Sequence, residues 1–165
     1  MPADFGAIFE AHKDAVWSFL LRQGVEASRA DDLFQTVFLK ALKAFDAFRG
    51  DSSVKTWLFS IAANAVLDDR RAARHRAGVE IHEAITAEHI EASAGLEHAE
   101  ALDRLRAALD GVPPHHRLLF TLVRFEGMSM ADAARAAGLT PQAAKVTLFR
   151  VSKRIGECFA RETTR

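Results

Sequence analysis

Apolar residues recur along this chain at helical spacing, and no segment alternates with the period of a strand. Between residues 4 and 22 one stripe is formed by Phe5, Ile8, Phe9, His12, Val16, Phe19 and Leu20. Asp4 is the expected N-cap of this helix and Gly24 its stop. A second helix is predicted over 29–48, with Ser28 as N-cap and Asp31 and Asp32 at the positive end of the dipole. Its stripe of Leu33, Val37, Ala41, Leu42 and Phe45 is widened by Phe34, Phe38 and Phe48. Such excess aromatic surface implies burial on two sides or a partner. Arg49-Gly50-Asp51-Ser52-Ser53 reads as a turn, with Gly50 supplying positive φ and one of the next three residues capping the third helix. That helix runs from Val54 to Arg76, with Trp57, Leu58, Ile61, Ala62, Ala65 and Leu67 on its apolar face.

The periodicity fades over 77–95, where a linker with one short helical turn is expected, and resumes near Leu96. Leu102, Leu105, Ala108 and Leu109 make a stripe ending at Gly111. Pro114 opens a further helix that closes at Gly127. Ser129 caps Met130–Ala137, Gly138 ends it, and Thr140 with Pro141 opens a last helix over 141–160. The pattern predicts an all-α protein of two small helical domains. Residues 1–76 form a bundle of three to four helices, 77–97 link, and 98–165 hold a helix-turn-helix.

Charge sharpens this division. The chain is neutral overall, yet its charges are segregated. Residues 49–76 carry six basic and three acidic side chains, and 104–165 carry eleven and five. Between them, residues 77–103 carry seven acidic side chains and no basic one. Two basic blocks around an acidic connector fit modules that bind a polyanion. A single cysteine, Cys158, excludes an internal disulfide. The early charges Asp4, Glu10, Lys13 and Asp14 argue against a signal peptide, and no apolar run approaches the length of a membrane span. The cytoplasm is the expected location, with no membrane insertion.

The candidate chemistry lies in two places. Ser52–Arg76 joins a turn, an aromatic-bearing helix and the cluster Arg70, Arg71, Arg74 and Arg76, a combination that suits phosphates and bases together. In the helix-turn-helix, Ala131, Ala133, Ala134 and Ala137 permit close helix approach. The closing helix offers Gln142, Lys145, Val146 and Phe149 for base edges, Val146 against a thymine methyl, with Phe149 equally suited to the core. Lys145, Arg150, Lys153 and Arg154 do not share one narrow face, so some serve phosphates or are plain surface charge. The seven histidines lack the spacing of a metal site. His82, His89 and Glu83 would share a face only if the linker were helical, and His115 and His116 are expected to be solvated. No cofactor, metal, nucleophile motif, phosphate loop or pair of catalytic carboxylates is expected.

Two runs resemble a known family. Asp32-Leu33-Phe34-Gln35, Phe48-Arg49-Gly50-Asp51-Ser52, Thr56-Trp57-Leu58, Ile61-Ala62 and Asn64 are similar to region 2 of extracytoplasmic-function (ECF) sigma factors of bacterial RNA polymerase. The run from Leu109 to Ile155, with Pro113 and Arg117, Glu126-Gly127-Met128-Ser129 and the closing helix, resembles region 4. The resemblance implies a promoter-specificity subunit without catalysis of its own. Asp32, Gln35 and Phe38 would dock on the clamp helices of the polymerase β′ subunit. Arg49, Ser52, Ser53, Lys55, Trp57 and Asn64, with the arginine tail, would recognise and melt the −10 element. Trp57 suits a stacked base and, on its stripe, the core somewhat better. Asn64 suits DNA or the backbone equally.

Thr140, Gln142, Lys145, Val146, Thr147, Phe149 and Arg150 would read the −35 element, and region 4 would touch the β flap. Where the family carries Gly-Thr-Val-Lys-Ser-Arg, this chain has Gln142 to Thr147. Lys145 is kept, but the Ser and the second cation are absent, which leaves a more apolar readout. The same change admits an alternative, a decoy that binds an anti-sigma factor without initiating transcription. An anti-sigma factor is an expected partner in either case. An all-α enzyme using the histidines and carboxylates of 80–98 is the third reading, and no motif favours it.

Overall fold

A computed structural model describes residues 4–77 and 96–160. The chain divides into two compact units, Met1–Glu83 and Ala84–Arg165. All regular structure among the described residues is helical. The expected linker turn, with His82, Glu83 and His89, lies outside the described residues.

The first unit packs α1 (Phe5–Arg22), α2 (Ala27–Ala44) and α3 (Val54–Ala77) against one another. Asp4 caps α1 as expected, accepting the Gly6 N–H at 3.3 Å. Val16, Phe19, Leu20, Ala30, Val37, Leu58, Phe59 and Ala62 are fully buried between the helices. Phe19 and Phe59 meet edge to face at 5.3 Å, which joins α1 to α3.

Helix α2 departs from expectation at both ends. It begins at Ala27, and Ser28 lies inside its first turn rather than capping it. There Arg29 donates to Asp69 on α3 through Nε at 2.8 Å, so a tertiary ion pair pins the start. The paired carboxylate raises the pKa of the Arg29 guanidinium. At the other end α2 stops at Ala44, and a single 3-10 turn covers Phe45–Ala47. Phe48 is extended, at ψ 114°, and turns back onto Trp57. An aromatic contact ends the helix four residues before the sequence pattern does.

The second unit contains α4 (Leu96–Asp110), α5 (Pro114–Arg124), α6 (Met130–Ala136) and α7 (Pro141–Ala160). Leu109, Leu118, Leu119, Leu122, Ala133, Ala137 and Ala144 close its core. The alanines let α6 lie close against α7. Ser129 caps α6, accepting the Asp132 N–H at 3.1 Å. Gly138, at φ 69°, makes the turn between α6 and α7. That turn is latched by His115 from α5, whose Nδ1 donates to the Ala137 carbonyl at 2.7 Å. His115 therefore has a structural partner, and its neighbour His116 is half-buried rather than solvated.

Candidate nucleic-acid interface

In the first unit the turn before α3 is fixed at both ends. Gly50 takes φ 77°, a conformation that a side chain would strain. Among the three residues suited to cap α3, Ser53 does so. Its Oγ accepts the Thr56 N–H at 3.0 Å and its carbonyl accepts the Trp57 N–H at 3.0 Å. On the other side Phe48 packs on Trp57 at 4.9 Å between ring centroids, and Phe45 bridges Trp57 and Phe5. Arg49, Gly50, Asp51 and Ser53 are exposed on this frame, and Ser52 is half-exposed. The short loop is thus held rigid while its polar groups face outward.

Trp57 is half-buried as the anchor of that loop. Lys55 leans over the Phe59 ring at 5.7 Å. It also helps to lower the pKa of His12 on α1, after burial, which is the larger cause. Asn64 lies on the outward stripe of α3 with Asp68 and Arg71, at spacings of four and three. Arg71 pairs with Asp68 at 3.3 Å, and Lys40 from α2 reaches the same carboxylate at 3.3 Å. Arg74 and Arg76 are exposed at the last turn. Arg70 points the other way and donates to the carbonyl of Gln23, the buried C-cap of α1. Three of the four tail arginines therefore face outward and one holds α3 to α1.

On α2, Asp32 and Gln35 are exposed and continue into Leu39 and Leu42, exposed at 56% and 51%. Phe38 is only 7% exposed and packs on Phe9 at 4.7 Å and Phe34 at 4.9 Å. Phe34 and Phe38 thus pack in the α1–α2 seam, and Leu39 and Leu42 are the most exposed large apolar side chains among the described residues of this unit. Sequence reasoning placed Leu42 in the core stripe and passed over Leu39. The spacing of Gln35, Leu39 and Leu42 on one face was the available signal.

In the second unit α7 shows two opposed faces of identical spacing. Ala144, Thr147, Leu148 and Val151 are buried against the domain. Gln142, Lys145, Val146 and Phe149 are exposed, with Arg150 and Lys153 beside them. Thr147, proposed from sequence as a reader, is 7% exposed and belongs to the inner face. Thr140 is exposed, but its Oγ1 accepts the Ala143 N–H at 3.2 Å, so its hydroxyl caps α7. Phe149 is 69% exposed and Val146 46%. Leaving such a pair in water forgoes about 1–3 kcal/mol of burial and marks a contact surface. Arg154 leans back to the Gly111 carbonyl at 3.4 Å. Arg150 stands near His116, whose pKa is lowered first by burial and then by His115 and Arg150.

Two helical bundles, one with a rigid polar loop and basic tail, the other with an exposed helix-turn-helix, define a nucleic-acid-binding protein of two modules. The family models agree in order and place. Sigma-70 region 2 matches residues 8–76 and Sigma-70 region 4 matches 102–155. The chain is 34% identical over 121 residues to the ECF RNA polymerase sigma factor EcfG of Rhodopseudomonas palustris, covering 73% of this chain and 66% of that protein. It is 31% identical over 147 residues to the ECF RNA polymerase sigma factor SigL of Mycobacterium tuberculosis, covering 86% and 81%. Among solved structures it resembles the sigma factor RpoE of Bartonella quintana in complex with the anti-sigma factor NepR. That likeness has a TM-score of 0.76 and 25% identity, over 95% of this chain and 97% of that one. The chain belongs to the ECF sigma factors, non-enzymatic DNA-recognition subunits of RNA polymerase.

Proposed function

We propose that the two units divide the promoter between them. Residues 1–76 bind core polymerase and open the −10 element, 98–165 read the −35 element, and 77–97 connect them. In the first unit, Arg49, Ser52, Lys55 and Asn64 face the −10 strand, and Arg71, Arg74 and Arg76 hold phosphates. Ser53, Trp57 and Arg70 hold that surface in shape. A flipped base costs about a few kcal/mol to unstack, which a preformed loop offsets best because little ordering remains to be done. Asp32, Gln35, Leu39 and Leu42 face the β′ clamp helices, with Phe38 supporting them from beneath. In the second unit the outward face of α7 enters the major groove and the same domain meets the β flap.

The observation that carries this reading is the outward face of α7, where Gln142, Lys145, Val146, Phe149, Arg150 and Lys153 are solvent-exposed together. It also counts against the decoy, since the changed segment still presents Gln142, Lys145 and Val146 outward. By likeness to the RpoE–NepR complex, an anti-sigma factor is the expected inhibitor. Among the described residues no helix is long and apolar enough to cross a membrane, and work on polymerase puts the protein in the cytoplasm. Run-off transcription with core polymerase and a genomic promoter library tests the proposal. Promoter-specific transcripts are expected, and their absence together with no binding to core would overturn it.

A further inference from the structure

The face of α7 combines chemistry that few ligands match. Val146 and Phe149 form an exposed apolar pair, three residues apart on one side of the helix. Lys145, Arg150 and Lys153 surround that pair with positive charge, and Gln142 stands in the first turn. A protein partner with an apolar knob would satisfy the pair but not the surrounding cations. The major groove of duplex DNA satisfies both, because phosphates line its walls and thymine C5-methyl groups are the apolar features of its floor. Guanine is read chiefly by Arg or Lys through O6 and N7, and Lys145 is the cation that shares the N-terminal half of this face with Gln142 and Val146. An amide such as Gln142 matches adenine through N6 and N7.

We propose that α7 reads the −35 element through thymine methyl groups. Val146 and Phe149 pack on the C5-methyls of thymines, Gln142 takes an adenine beside them, and Arg150 and Lys153 hold the flanking phosphates. The consensus is then A/T-bearing at its centre, with guanine confined to the position that Lys145 reaches. This inference rests on the reading of 98–165 as the −35 domain.

The test uses holoenzyme, assembled from the full chain and core polymerase, on a promoter recovered in the run-off experiment. Each −35 thymine is replaced in turn by uracil, which keeps the base pair and removes only the methyl. Loss of one buried methyl should weaken binding about fourfold at each contacted thymine. Val146→Ala and Phe149→Ala should bind the thymine and uracil promoters equally, while Phe149→Leu keeps part of the difference. Gln142→Ala should lose about tenfold in preference for adenine at its position. Both apolar side chains are exposed, so thermal melting should be unchanged and a folding defect separable. If the wild type binds thymine and uracil promoters equally, the proposal is overturned. If Val146→Ala weakens both promoters to the same extent, it is also overturned, because the side chain then acts independently of the methyl. If scrambling the whole −35 element has no effect, the underlying assignment of the domain fails instead.

Discussion

At the scale of single residues, the arginines at the end of α3 look alike in sequence and do different work. Arg70 donates to the carbonyl of a helix end, so its loss removes a charge-assisted hydrogen bond between α3 and α1. Arg70→Ala should destabilise the first unit by about 1–3 kcal/mol, read in urea unfolding, and leave the salt dependence of promoter binding nearly unchanged. Arg74→Ala and Arg76→Ala should do the reverse. Stability stays put, while the slope of log K against log salt falls by about one unit per phosphate contact. Equal slopes for wild type and the double variant would remove the tail from the DNA footprint. Thr147 stands about 100° around α7 from Val146 and about 200° from Phe149, so its inward position was legible from sequence. The inward turn of Arg70 was not, because its partner lies 47 positions away.

At the scale of elements, the rigid parts are set by contacts across the bundle. The Arg49–Ser53 loop stands on Phe45, Phe48 and Trp57. Trp57→Ala should abolish that platform and impair −10 opening, seen as lost permanganate reactivity of unpaired thymines, with −35 binding retained. Trp57→Phe should recover part of the opening, since a ring still packs on Phe48. Helix α2 carries its own prediction. Replacing Leu39 and Leu42 by Ser should weaken binding to core polymerase about tenfold or more, because the apolar area the two leucines would bury there is lost. Both leucines are half-exposed, so the melting temperature should move little. Unchanged core affinity would place the β′ contact elsewhere.

At the scale of the whole molecule, each unit holds one half-buried histidine whose pKa lies below its ordinary value of 6.5. For both His12 and His116 burial is the first cause, so the folded state disfavours the proton. As pH falls below about 6.5 the unfolded chain takes up the proton first, and stability drops until the lowered values are passed. Both units should therefore be most stable above that pH and lose stability together on mild acidification. Melting curves between pH 5 and 7.5 should flatten in a His12→Asn, His116→Gln double variant.

The sequence alone determined the helices, the two-module plan and the family, because these rest on local periodicity, caps and motifs with fixed spacing. It also supplied the basic tail and the reading helix, since charge and glycine punctuation are visible without a fold. Tertiary structure decided which members of each candidate set face outward. It turned Arg70 and Thr147 inward, buried Phe38 in the α1–α2 seam and left Leu39, Leu42 and Phe149 outside. Local pattern states that a residue is apolar or charged. Its use depends on what the neighbouring helices leave uncovered, and that is a property of packing between segments distant in the chain.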